Sequence, residues 1–165
     1  MNHIPFGDTP EDRCHYYRRV CDLPAVVEPP DSDRIMMRAG RVTGMAMPAR
    51  FGHWLRTHLR DLGHATGPIV GHPRSSRWTF LVRPDAPNEL SLDVEMLRFN
   101  VSIIRSGAMI ALPSPTTQPG AIRQWIEPPR STFRPSASLL ITAVRASTMV
   151  LWHRASTEQR RRDVG

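Results

Sequence analysis

The residues best suited to chemistry lie within Pro68 to Arg83, where His72-Pro73-Arg74-Ser75-Ser76-Arg77 separates two apolar runs. Ile69 and Val70 on one side, and Trp78 to Val82 on the other, are strand formers. Pro73 cannot donate to a ladder, so the first strand should stop there. Ser75 and Ser76 suit a tight turn with outward N–H groups, and Arg74 and Arg77 add guanidinium forks. Such a tip could cradle a phosphate. The same residues would also serve as an arginine-decorated surface hairpin. His72, Arg74, Ser75, Ser76 and Arg77 are the candidate phosphate or nucleic-acid contacts, with Ser114 and Arg123 extending the grip.

Other chemical groups are less well placed. Asp93 and Glu95 would share a face on a strand and could then hold Mg²⁺, but Asn88 to Leu97 reads as a helix, on which they diverge. Cys14 and Cys21 are too few for a disulfide framework, and core packing explains their spacing. His53, His58 and His64 lack ligand spacing. No catalytic residue, metal site or cofactor is therefore expected.

These groups need elements to position them. Thr9 or Asp8 should cap a helix from Pro10 to about Asp22. A short strand at Ala25 to Val27 and strands at Ile35 to Met37 and Arg41 to Met47 follow. Arg50 to Leu62 is an amphipathic helix, with Phe51, Trp54, Leu55, His58, Leu59 and Leu62 on one face, Arg56 and Arg60 on the other, and Gly63 as its stop. A helix capped by Asn88 should turn Leu92, Met96 and Leu97 inward. Phe99 to Ile104 and Ala108 to Leu112 flank Gly107 and read as a second hairpin, lying beside the first in the middle of one antiparallel sheet. Residues 116–135 read as loop, with Gln124-Trp125-Ile126 as an apolar insert. Ser136 should cap a last helix, Ala137 to His153, buried through Leu140, Ala143, Val144, Ser147 and Leu151. The fold class is α+β: a mostly antiparallel central sheet flanked by helices, with a C-terminal helix.

Composition sets the limits. The 165 residues suit one domain, 1–153, with a basic flexible tail at 154–165. All 22 basic residues are arginine, as a GC-rich coding sequence would give, so no single arginine carries much weight. Residues 1–120 hold 14 arginines against 12 acids, and residues 121–165 hold 8 against 3. A basic last quarter suggests a polyanion or an acidic protein face as partner, or a solvated tail. The start, Met-Asn-His-Ile-Pro-Phe-Gly-Asp, lacks a signal peptide's basic region and apolar core. No apolar run approaches the ~20 residues of a membrane helix. A cytoplasmic protein with no membrane partner is expected.

The order of these pieces resembles the primase-polymerase module of the archaeo-eukaryotic primase superfamily. In that family a strand carrying Asp-x-Asp leads to a Pro-Arg-His-Gly-like turn and a helix. A small-residue turn, a Gly-Gly-x-His strand and a hairpin strand ending in Ala-Pro-Pro-Ser follow, with an aromatic residue soon after. Here Thr43-Gly44-Met45-Ala46-Met47-Pro48-Ala49-Arg50-Phe51-Gly52 precedes a helix. Then come His72 to Phe80, Ile110-Ala111-Leu112-Pro113-Ser114-Pro115, and Trp125. The similarity spans about residues 41–126. The family's metal-binding acids fall at Met45 and Met47, its phosphate-contacting histidine at Trp78, and its third acid within Val101-Ser102-Ile103-Ile104. Thioether sulfur is a poor Mg²⁺ ligand, so the resemblance implies a non-catalytic relative. The chain also resembles short proteins of high-GC bacteria that share the His-Pro-Arg-Ser, Trp-Thr-Phe-Leu, Ala-Leu-Pro-Ser-Pro and Gln-Trp-Ile-Glu-Pro-Pro blocks. These are often labelled RNA polymerase subunit β, but 165 residues could not hold that subunit.

Three functions follow as expectations. The first is a non-catalytic module binding a nucleotide or single-stranded nucleic acid through the basic turn. The second is a protein-interaction module using Pro113, Pro115 and Trp125 in the loop 113–129. The third is a metal-dependent nucleotidyl-transfer enzyme using Asp93 and Glu95.

Overall fold

The computed structural model describes residues 5–115 and 122–147. Among them, helices α1 (Pro10–Arg19), α2 (Ala49–Asp61), α3 (Leu90–Leu97) and α4 (residues 137–147) accompany strands β1 (Ala25–Val27), β2 (Ile35–Arg38), β3 (Thr43–Pro48), β4 (Ile69–His72), β5 (Arg77–Val82), β6 (Ser102–Ile104), β7 (Met109–Leu112) and β8 (Gln124–Glu127). No helix among the described residues is long and apolar enough to cross a membrane.

The strands form two antiparallel sheets, one of order β6-β3-β5-β4-β8 and one of order β1-β2-β7. Side chains alternate along each strand, so the larger sheet presents two faces. Met45, Met47, Ile69, Phe80 and Val82 bury one face against Leu55 and Leu59 of α2, Leu92 and Met96 of α3, and Leu140 and Val144 of α4. Val70 and Leu81 point the other way. They join a second core with Ile35, Met37, Ile110 and Leu112 of the smaller sheet and Cys14 and Tyr17 of α1. The result is α+β: α2, α3 and α4 cover one face of the five strands, and the three strands with α1 cover the other.

Local sequence explains the helix starts. Thr9 Oγ1 accepts from the Asp12 N–H at 3.1 Å, and Pro10 occupies the first helical position. At α4, Ser136 Oγ accepts from the Leu139 N–H at 3.2 Å, while Asp85 accepts from the Ala137 N–H at 2.7 Å. Gly63 takes φ +79° just past α2, where a side chain would be strained.

Several expectations change. The run from Phe99 to Leu112 is not a hairpin ladder: β6 pairs with β3, whereas β7 crosses to β2 in the other sheet. The turn between them is tied down instead, with Gly107 N–H bonded to Ala39 O and Ala39 N–H to Ala108 O, both at 2.8 Å. Residues 124–127 are an edge strand rather than a loop insert, because they find a partner in β4. α1 stops at Arg19, although Cys21 stays buried beside it. Glu89, not Asn88, precedes α3, without a side-chain cap. Leu97 and Leu62 face outward, 61% and 59% exposed. Arg56 and Arg60 grip Glu127 of β8 at 2.8 and 2.6 Å rather than facing solvent alone. Residues 148–153 of the last expected helix, including Leu151, and the expected tail 154–165 lie outside the described residues.

Candidate anion-binding site

The larger sheet ends, on its α1-facing side, in a row set by register. Pro48 lies opposite Arg77, and Arg77 opposite His72. Gly71 lies opposite Gln124, which brings Arg123 beside His72. By two-residue periodicity His72 shares the face of Val70, and Arg123 that of Trp125. Both side chains therefore stand at the margin of the second core.

Each group has a distinct environment. His72 is half-buried, with Nε2 2.9 Å from Thr79 Oγ1. Burial first, then the charges of Arg123 and Arg77, push its pKa below the ordinary histidine value. Arg77 spends its fork inside the fold. Nη1 donates to Asn100 Oδ1 at 2.9 Å, and Nη2 to Ala46 O at 3.0 Å and Asn100 O at 3.1 Å. Arg123 is half-buried; burial, then the charge of Arg34, pull its pKa down. Among the described residues its Nε is buried without a hydrogen-bond partner, as are Ser114 Oγ and the Nε of Arg56, Arg105 and Arg134.

A relay draws Ser114 to this corner. The Trp125 indole donates to the Tyr17 hydroxyl at 2.8 Å, which donates to Pro113 O at 2.7 Å. The loop after β7 is thus pinned to the strand that follows Arg123. Arg34 arrives by the other sheet, since Ile35 lies opposite Leu112 and so carries Arg34 beside Pro113. Basic groups from four segments meet at one corner.

Asp33 precedes Arg34 in the chain, and Glu28 lies across from it, its N–H bonded to Arg34 O at 2.9 Å. The acids in ion pairs are committed elsewhere: Asp22 with Arg41, Glu127 with Arg56 and Arg60, Asp85 with Arg83, Asp93 with Arg105, and Glu95 with Arg145. Among the described residues neither Arg34 nor Arg123 has an ion pair. Electrostatically, the charges of Arg77 and Arg123 both act on His72, and that of Arg34 acts on Arg123. Clefts of about 350 and 390 Å³ lie elsewhere, and neither is lined by His72 or Arg123.

The structure divides the residues singled out by type. His72 and Arg123 lie side by side, with Arg77 lending charge from behind, and Ser114 follows Pro113, which the Tyr17 relay ties to Trp125. Arg74, Ser75 and Ser76 sit exposed on a single 3₁₀ turn, Pro73–Ser75 and its cap. On that turn the Ser76 N–H bonds to Pro73 O at 3.3 Å, and Ser76 O accepts from Ala49 N–H at 2.7 Å. Pro113 is buried, and the Trp125 indole is engaged by Tyr17. Pro115 is half-buried. Arg34 and Thr79 belong to the corner and were not singled out. Arg34 carried no local signal, because only the β2–β7 ladder brings it there.

The positions where the resemblance would put metal-binding acids lie on the opposite face. Met45 and Met47 are fully buried in the helix-side core, and Trp78 packs on Gly52. Asp93 and Glu95 diverge around α3, to Arg105 and Arg145 respectively, each at 2.7 Å. Among the described residues no group of three His, Cys, Asp or Glu could hold a metal ion. No protein-family model, curated protein or solved structure matches the chain.

Proposed function

We propose that the protein is a non-catalytic binding module that holds a phosphate group of a nucleotide or of single-stranded nucleic acid at the His72–Arg123 corner. One observation carries this: the charges of Arg77 and Arg123 both act on His72 at the end of the sheet, and Arg123 has no ion pair among the described residues. Like charges gathered at the end of a sheet oppose folding unless something offsets them. Arg123 Nε and Ser114 Oγ, like the Nε of Arg56, Arg105 and Arg134, are buried without a partner among the described residues, at about 1–3 kcal/mol each of unmet hydrogen bonding. A bound phosphate would offset the gathered charge, because arginine forks suit its oxygens. The primase-polymerase resemblance fits a scaffold that grips without chemistry, since its acid positions carry buried methionine.

The test is binding of a labelled single-stranded oligonucleotide at rising salt. Affinity should fall log-linearly, with a slope of about 0.7 for each phosphate contact. Arg123→Gln should weaken binding and shallow that slope by about one contact. Absence of salt-dependent binding to DNA, RNA and nucleotides would remove the proposal.

A further inference from the structure

We infer that the cleft beside the start of β4 and the end of β8 binds a small apolar carboxylate, at a site separate from the His72 corner. The cleft holds about 350 Å³, enough for a small organic molecule. Residues 65–68, 127–131 and 133–134 line it, together with Arg60 of α2. Its walls are fixed from within the chain. Arg134 is buried and donates to Ser131 O at 3.0 Å and to Cys21 O at 2.6 Å, which braces the later segment. Gly67 takes φ +64°, and a side chain there would meet Pro135 Cδ at 2.5 Å, so the two segments pack directly together. Three features of the lining define the ligand. The first is charge. Arg60, Arg130 and Arg134 stand against one acid, Glu127, whose Oε2 already accepts from Arg60 at 2.6 Å and from Arg56 at 2.8 Å. Arg130 is exposed and has no ion pair among the described residues. An anion would offset this surplus, and a guanidinium fork matches a carboxylate. The second is a hydroxyl. Thr66 is 4% exposed, and its Oγ1 makes no hydrogen bond among the described residues. Unlike Ser114 Oγ it is not sealed from solvent, so it can donate to a carboxylate oxygen in the cleft. The third is the apolar wall. Pro68, Pro128 and Pro129 carry no amide hydrogen, and Phe133 is 49% exposed. A bare phosphate or sulfate would leave these rings unmatched, whereas an acid on an apolar body uses both the charge and the wall.

The experiment is calorimetry of naphthoate against naphthamide, which share a ring system and differ in charge. Naphthoate should bind about tenfold tighter, the effect of one charge-assisted hydrogen bond. Arg130→Gln, at an exposed side chain, should remove most of that preference. Thr66→Val should weaken naphthoate about threefold, the effect of one ordinary hydrogen bond. Its urea midpoint should hold, because the hydroxyl has no partner within the fold to lose. Circular dichroism would confirm that both variants fold. A tripeptide ending in phenylalanine, with its C-terminus free or amidated, separates two sources of the acid. If the free form outbinds naphthoate and amidation abolishes binding, the acid is that of a chain end; otherwise it is that of a free molecule. Equal affinities for naphthoate and naphthamide, or a preference unchanged in both variants, would overturn this inference and leave the phosphate-binding proposal standing. No binding of naphthoate would overturn it equally.

Discussion

The Tyr17 hydroxyl stands between Trp125 Nε1, 2.8 Å away, and Pro113 O, 2.7 Å away, so one side chain of α1 joins the ends of both sheets. Tyr17 is fully buried, and burial chiefly pushes its pKa up to about 12. Tyr17→Phe keeps the ring but strips a partner from the Pro113 carbonyl and the Trp125 N–H. The expected cost is about 1–3 kcal/mol in urea unfolding. The sign with pH is also fixed. A phenol whose folded pKa lies above its unfolded value of about 10 supports the fold below pH 10. That support is lost as pH rises from about 10 towards 12. The phenylalanine variant should therefore lose less stability than the native chain over that interval.

Gly52 lies in α2 under Trp78, and a methyl group there would meet Trp78 Cε3 at 2.9 Å, Cδ2 at 3.2 Å and Cβ at 3.3 Å. Alanine would help the helix by about 1 kcal/mol. Overpacking a rigid indole costs about 1–3 kcal/mol, and it should win because Trp78 is held in β5. Gly52→Ala should thus lower the urea midpoint. A raised midpoint would mean that the sheet and α2 can part without penalty.

Local signals were legible, and long-range pairing was not. Leu55 and Leu59 announce the buried face of α2 by spacing alone, and Thr9 and Ser136 announce helix starts by their hydroxyls. The β4–β5 hairpin follows from apolar runs around a proline. The Phe99 to Leu112 run misleads because Gly107 supplies a turn whichever strands its flanks join. Ile103 pairs with Met45 and Ala111 with Met36, and nothing local announces either pairing. At the site, His72, Ser114 and Arg123 stand out by residue type. The approach of Arg123 to His72 depends on β8 joining β4, and the placing of the Ser114 loop depends on the Tyr17 relay, both non-local. Arg34 has no distinguishing neighbour in the chain and becomes visible only once β2 lies beside β7.

Asp85 lies outside α4 yet caps it. Its carboxylate accepts from Ala137 N–H at 2.7 Å and from the Ser136 hydroxyl at 2.6 Å, and its carbonyl accepts from the Ser138 hydroxyl at 2.9 Å. Burial works against the charge, but the Ser136 hydroxyl and the Ala137 and Ser138 amides prevail and hold the carboxyl below its ordinary pKa. Asp85→Ala should cost about 1 kcal/mol, as lost helix caps do. A lowered folded pKa means that the native cap supports the fold above about pH 4 and weakens as pH falls through the folded value. Acid titration of the native chain should therefore show a component missing from the alanine variant, read by circular dichroism.

Arg123→Gln should separate stability from binding. It removes a half-buried cation that has no ion pair among the described residues and leaves fewer like charges around His72. Thermal stability without ligand should hold or rise slightly, while phosphate affinity falls. A fall in both would make Arg123 a brace of the fold rather than a ligand contact.

His72 gives the corner a pH dependence of known sign. In the free protein its pKa lies below the unfolded value of about 6.5, through burial and then the charges of Arg123 and Arg77. Unliganded stability is therefore present above about pH 6.5 and declines as pH falls below it, because the unfolded chain takes up the proton first. A bound phosphate reverses the balance at the imidazole, since its negative charge favours the protonated ring. Binding should then take up a proton, and affinity should rise as pH falls from 8 to 5.5. An oligonucleotide is the right probe, because internal phosphodiesters keep one charge across that range whereas a monoester titrates near pH 6. His72→Gln can keep a hydrogen bond to Thr79 but cannot titrate, so fluorescence anisotropy should give a flatter affinity profile. Arg77 and Arg123 stay charged throughout and cannot mimic the effect. A native profile as flat as that of the variant would remove His72 from the site, and with it the reason for burying a histidine at the end of β4.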